Sequence, residues 1–266
     1  MPFATNNDVR LFYTDSGKGA SPRGARPLLF VHGWCCDHTH WQRQVAAFRR
    51  KHRVVTVDLR GHGRSSKPRQ EYDLPGFCRD LEWLIGKLRL RNPVVVGHSM
   101  GGVITLHLAA RRRVALSGAV FVDAPIFLHM TPEIRRALRA SLAAFTTPAY
   151  HEAAAAIIDQ FMFRPTSPPA LQARLRERML RTPQHVLEPA WRNIFIDHTS
   201  AARRVRVPAL AVNAGPGPAD YGRLQQLIPH MQLGLTVGAG HFLQLEAPEQ
   251  LNPMLSTFIG QIGAAA

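Results

Sequence analysis

Six short and almost wholly apolar runs recur along the chain: Leu28 to Val31, Val54 to Val57, Val94 to Val96, Ala119 to Val122, Ala209 to Val212 and Leu235 to Val237. A strand with no polar face must be covered on both sides, and a parallel sheet flanked by helices supplies that cover. The stretches Arg79 to Leu90, Val103 to Ala110 and Ala247 to Ile259 carry the helical apolar spacing this requires. The alternation predicts an α/β fold with a doubly wound, mostly parallel sheet. With 266 residues, the chain can bury one such core and still carry a moderate insertion.

The strand pattern stops between Ile126 and about Ser200, where Ala, Leu and Arg dominate and prolines punctuate. Thr131-Pro132-Glu133 and Thr147-Pro148 have the form of helix starts, with a capping threonine and proline in the first turn. The expected organisation is a first part of the core over residues 1–125, a helical lid over 126–200 above the carboxyl ends of the strands, and a second part of the core over 201–266.

Charge excludes less than its size suggests. Lys plus Arg number 33 against 18 Asp plus Glu, a net charge of +15, yet the arginines are scattered from Arg10 to Arg223. The longest basic run, Arg111-Arg112-Arg113, falls where a helix should end and a cation suits the helix dipole. Without clustering, a nucleic-acid partner is not expected. No run of about 18 apolar residues occurs and the first residues lack a secretory pattern, so a cytoplasmic protein without stable membrane association is expected. Cys35, Cys36 and Cys78 form no metal or disulfide pattern and should be reduced thiols. His38-Thr39-His40 beside Asp37 could be taken for a metal cluster, but Asp37 is better explained as a helix N-cap. Neither a metal nor a cofactor is expected, and oligomeric state is open.

The segment Val94 to Gly102 runs from an apolar strand through Gly97-His98-Ser99-Met100-Gly101 into a helix. A serine on so tight a turn sits in strained backbone, tolerable only where residues two positions away lack side chains. Ser99 should therefore project its hydroxyl above the sheet as a nucleophile; the plainer alternative is a serine that merely caps the helix. His241, in Gly238-Ala239-Gly240-His241-Phe242 after the last apolar run, is placed to accept its proton. The loop His32-Gly33-Trp34 follows the first strong run, and the backbone amides of Trp34 and Met100 are the candidate oxyanion donors.

Taken in this order, these three segments resemble the α/β-hydrolase superfamily, and Asp58-Leu59-Arg60-Gly61-His62-Gly63-Arg64-Ser65 resembles a loop of its lid-bearing members. Those members include esterases, haloperoxidase-like perhydrolases and epoxide hydrolases. Most of the superfamily places the triad acid three residues past a glycine corresponding to Gly215, where Pro216-Gly217-Pro218 puts a proline here. Asp123, at the end of Val120-Phe121-Val122, is the preferred acid, as in branches that use that earlier strand; Asp220, which could equally cap a helix, is the alternative. The loop Asn213 to Gly217 is similar to the acid-free loop of haloalkane dehalogenases, but those enzymes and epoxide hydrolases attack through an aspartate, which Ser99 cannot replace.

The resemblance implies a serine hydrolase that cleaves an ester, lactone or related acyl bond in a small, fairly apolar molecule. Trp34, Phe127, Phe161 and Trp191, with Phe163 and Phe195, are candidate walls of its pocket. A second resemblance stays open. His32 to His38 is similar to the corresponding loop of cofactor-free dioxygenases that cleave hydroxy-quinolones with a His-Asp pair, although Cys36 and Met100 stand where those enzymes carry histidines.

Overall fold

In the computed structural model, which describes residues 2–16, 25–215 and 218–264, eight strands form one sheet in the order β1-β2-β4-β3-β5-β6-β7-β8. The chain opens with β1 (Phe3–Asn6) and β2 (Val9–Ser16), an antiparallel hairpin whose second strand pairs with β4. The remaining strands are parallel: β3 (Leu28–Val31), β4 (Val54–Val57), β5 (Val94–His98), β6 (Gly118–Val122), β7 (Ala209–Asn213) and β8 (Met231–Leu235).

Side-chain alternation divides each central strand between two cores. Leu28, Phe30, Val94, Val96, Val120 and Val122 pack with Trp41, Phe48, Leu251, Leu255 and Phe258 on one face. Leu29, Val31, Val95, Ala119 and Phe121 pack with Phe77, Leu81, Val103 and Leu106 on the other. All four side chains of β3 are 0% exposed, which is why the run shows no polar alternation.

The first core is covered by α1 (Gln42–Phe48), and the second by α2 (Leu74–Lys87) and α3 (Met100–Arg111). Between β6 and β7 come α4 (Pro132–Phe145), α5 (Tyr150–Phe161), α6 (Pro169–Met179), α7 (Gln184–Ile194) and the single turn α8 (Thr199–Ala202). The chain closes with α9 (Tyr221–Leu227), α10 (Leu243–Glu246) and α11 (Pro248–Ala264). Helical starts follow local chemistry. Thr131 accepts from the Ile134 N–H, as the Thr-Pro pair predicts, and Asp37 caps a 3-10 turn over His38–Trp41 that continues into α1. α5 begins later than Thr147-Pro148 suggests, because the Thr147 hydroxyl is spent on the Ala144 carbonyl and the Ala149 amide.

Two sequence expectations need correction. β8 ends at Leu235, where the last of the six apolar runs, Leu235 to Val237, was expected to begin a strand; Val237 lies in the following loop and is 82% exposed. Gln232 and Gly234 break the apolar pattern because β8 is an edge strand with one face partly open. The β1–β2 hairpin has no counterpart in the sequence expectation: Thr5, Asn6, Arg10 and Thr14 to Ser16 interrupt its apolar residues, so neither strand forms a wholly apolar run. No helix among the described residues is long and apolar enough to cross a membrane.

Candidate active site

β5 turns into α3 at Ser99, whose φ of +52° and ψ of −121° place a non-glycine residue in sparsely allowed backbone. The glycines beside it are required sterically. A Cβ on Gly97 would meet the Gly101 backbone, and one on Gly101 would meet the carbonyls of Val31 and His32. Ser99 is anchored from below, its N–H donating to the Val122 carbonyl at 2.9 Å, and its own carbonyl accepts from the Gly102 N–H at 2.9 Å. Its hydroxyl has no hydrogen-bond partner among the described residues and opens on a cavity that His241 also lines.

The neighbouring strand β6 ends at Asp123, also at positive φ (+44°). Its N–H donates to the Val212 carbonyl at 2.8 Å, and its Oδ1 accepts from the Ala214 N–H at 3.0 Å, so backbone and carboxylate are each fixed by one bond at the end of β7. The other oxygen, Oδ2, accepts from His241 Nδ1 at 2.6 Å. Asp220 is elsewhere engaged: its carboxylate caps α9 through the Arg223 N–H at 2.9 Å and lies 3.7 Å from His129 Nδ1. The structure thus brings Asp123, and not Asp220, to the His241 ring. Pro218, which stands at the usual acid position, lines the same cavity and offers no carboxylate; Pro216 and Gly217 before it lie outside the described residues.

His241 is held from several sides by groups that motif reading passed over. The His98 ring packs 4.6 Å from it, centroid to centroid, and His98 Nε2–H donates to the His241 carbonyl at 2.8 Å. Burial, reinforced by the adjacent His241, pushes His98 well below the ordinary imidazole range, so it stays neutral and serves as a strut. Glu246 grips the loop: Oε2 accepts from the Gly240 N–H at 3.0 Å and Oε1 from the Phe242 N–H at 3.3 Å. The same Oε2 accepts from the Ser167 hydroxyl at 2.6 Å, tying the α5–α6 turn to the histidine loop. Glu246 stands in the Leu245-Glu246-Ala247-Pro248 stretch, where an acid five residues past the histidine was the available signal.

The turn Gly33-Trp34 lies against the serine, since a Cβ on Gly33 would stand 3.0 Å from Ser99 Cβ and 3.0 Å from His98 Nδ1. His32 fixes this turn as a neutral tautomer: Nδ1–H donates to the Gly33 carbonyl at 2.8 Å, and Nε2 accepts from the Leu59 N–H at 3.0 Å. Burial lowers its pKa to about 4, which keeps Nε2 free to accept. Met100 opens α3 on the other side of the serine.

The cavity has a volume of about 580 Å³ and is bounded mostly by apolar side chains, among them Ile134, Leu138, Ile157 and Met162. Of the aromatic residues expected there, Phe161, Phe163, Trp191 and Phe195 line it. Trp34 and Phe127 do not appear in its wall. The Trp34 indole is buried between Phe145 and Trp191 and donates to the Leu187 carbonyl at 2.9 Å, while Phe127 packs beneath the Arg223 guanidinium at 4.4 Å. Tyr221 also faces the cavity; burial, followed by the nearby Asp123 charge, pushes its phenol up, so the hydroxyl remains a donor.

The donor atoms of Asp37, His38 and Asp58 come within 4.8 Å of one another. They are already matched internally. Asp58 accepts from the His38 backbone and ring and from the Arg64 N–H, and Asp37 caps Thr39 and pairs with Arg178 at 2.8 Å. All three cysteines are free and buried, and burial pushes the Cys35 and Cys36 thiols up, away from the thiolate form that a nucleophile needs.

A family model described as alpha/beta hydrolase family matches residues 28–253. Among curated relatives, a non-heme chloroperoxidase of Burkholderia pyrrocinia is 39% identical over 104 residues, covering 38% of this chain and 36% of that protein. A bifunctional esterase/perhydrolase of Acinetobacter calcoaceticus is 35% identical over 113 residues, 42% of this chain and 40% of that one. The chain therefore aligns with less than half the length of either relative. The crystal structure of an enol-lactonase from Burkholderia xenovorans superposes with a TM-score of 0.85 at 23% identity, covering 97% of this chain and 100% of the other.

Proposed function

From the premise that this chain belongs to the alpha/beta hydrolase family, we propose that it hydrolyses an ester, lactone or related acyl bond of a small, largely apolar molecule. Ser99 attacks the carbonyl carbon while His241 accepts the hydroxyl proton. Asp123 holds the imidazole with Nδ1–H toward its carboxylate, leaving Nε2 for the serine, and stabilises the imidazolium that forms. The Trp34 and Met100 amides receive the oxyanion; one such donor is worth roughly 3 to 4 kcal/mol in comparable sites. Collapse of the tetrahedral species expels the alcohol, protonated by His241, and water activated by the same ring then releases the acid and restores Ser99.

The observation that carries this reading is the 2.6 Å bond between His241 and Asp123 beside a serine at φ +52° on the same cavity. The helices α4, α5 and α7 act as a lid, with Ile134, Leu138, Phe161 and Trp191 supplying an apolar wall of the cavity that Ser99 and His241 also line. A ring-cleaving dioxygenase would use the same His-Asp pair but not the serine. Ser99→Ala separates the two: p-nitrophenyl ester hydrolysis should fall at least about 1,000-fold, and the wild type should take up no oxygen with a hydroxy-quinolone. Full ester turnover by Ser99→Ala, or metal-independent oxygen uptake, contradicts the proposal.

A further inference from the structure

One cation in the cavity wall has no part in the acyl-transfer chemistry. Arg164 follows α5 and lines the cavity together with Ser99 and His241. Its backbone is fixed: the Arg164 N–H donates to Ser167 Oγ at 3.0 Å, and Ser167 in turn donates to Glu246. Its guanidinium Nη2 donates to the Ala214 carbonyl at 3.0 Å, and Ala214 is the residue whose amide fixes Asp123. Arg53, Arg60, Arg111, Arg176 and Arg178 each pair with an acid. Arg164 has no carboxylate within 4.0 Å among the described residues. The other charged groups of the wall are Asp123 and His241, which satisfy each other, and Glu133 at the start of α4.

Bonded among the described residues only to one neutral carbonyl, in the wall of a mostly apolar chamber, the guanidinium retains donors suited to a planar oxyanion. We propose that Arg164 is a specificity-determining residue that binds a carboxylate carried by the substrate, so that the preferred ester or lactone has an apolar body and an anionic end. The inference rests on the hydrolase reading above. Chamber and charge divide the work: Ile134, Leu138 and Phe161 accept the hydrocarbon, and Arg164 sets which end enters.

The test compares p-nitrophenyl hexanoate with the mono-p-nitrophenyl ester of adipate, which differ by a terminal carboxylate, in wild type, Arg164→Gln and Arg164→Lys. The ratio of kcat/KM for the anionic ester to that for hexanoate should fall about 10- to 100-fold in Arg164→Gln, mainly through KM, and recover in part in Arg164→Lys. Calorimetric binding of adipate itself should weaken by a similar factor. Equal losses on both esters would make Arg164 only a clamp on Ala214 and overturn the proposal, as would an unchanged ratio or wild type that takes hexanoate but neither cleaves the anionic ester nor binds adipate. Wild type that binds adipate through Arg164 yet cleaves neither ester would instead refute the hydrolase reading and leave the carboxylate site standing.

Discussion

Two non-glycine residues at the ends of adjacent strands, Ser99 and Asp123, adopt positive φ, conformations that cost roughly 1 to 3 kcal/mol each. Both are over-determined by hydrogen bonds to the β6 and β7 ends, so the strain is held where a nucleophile and an orienting acid are needed. Asp123→Asn should therefore lower kcat about 1,000- to 10,000-fold by favouring the wrong imidazole tautomer. Asp220→Asn should change it less than about 3-fold, because asparagine caps α9 as well as aspartate does; comparable small losses in both variants would refute the assignment. Gly97→Ala drives a Cβ into the Gly101 backbone and should cost more than about 3 kcal/mol in a denaturant titration. The Gly97, Ser99 and Gly101 pattern was legible because its steric demand is local. The choice of acid was only half legible, since Asp123 and Asp220 both follow plausible elements and their separation is decided by tertiary placement.

At the level of elements, the histidine loop and the inserted helices meet at Glu246. Its carboxylate accepts from the Gly240 and Phe242 amides that flank His241 and from Ser167 of the α5–α6 turn. Glu246→Gln removes the charge on which these bonds depend and should lower kcat about 10-fold or more, with faster amide exchange at Gly240, Phe242 and the α5–α6 turn. Ser167→Ala should loosen the turn alone and affect KM more than kcat; identical exchange patterns in the two variants would rule out a shared hub. Strands β3 to β7 were readable because both their faces are buried, as the division of Leu28 and Phe30 from Leu29 and Val31 between two cores makes plain. The outer strands were not: β1 and β2 mix polar with apolar residues and β8 carries Gln232 and Gly234, because a strand with partly exposed side chains need not be apolar throughout. The wall positions of Trp34 and Phe127 failed for a related reason, aromatic content saying nothing about which side of a helix or loop faces a cavity.

The whole molecule buries several histidines as neutral groups, with consequences for its pH dependence. Burial lowers His32 from 6.5 to about 4 and His62 from 6.5 to about 3. The unfolded chain binds protons at these sites below about pH 6.5 while the folded chain does not, so stability is present above that pH and is lost as pH falls toward the folded values. For His32 the loss amounts to roughly 3 kcal/mol by linkage. The urea midpoint should therefore drop steadily from pH 6.5 to pH 4, and His62→Gln should flatten that slope; a midpoint independent of pH over this range would contradict the picture. The measurement that bears most directly on the central claim is the mass of the intact enzyme, acid-quenched within milliseconds of mixing with a p-nitrophenyl ester and then mapped by peptide digestion. The account predicts one added acyl group, located on Ser99 and accumulating in Asp123→Asn if deacylation slows more than attack. Steady ester turnover with the acyl group on another residue, or with water attacking directly and Ser99 remaining replaceable by alanine, would contradict it.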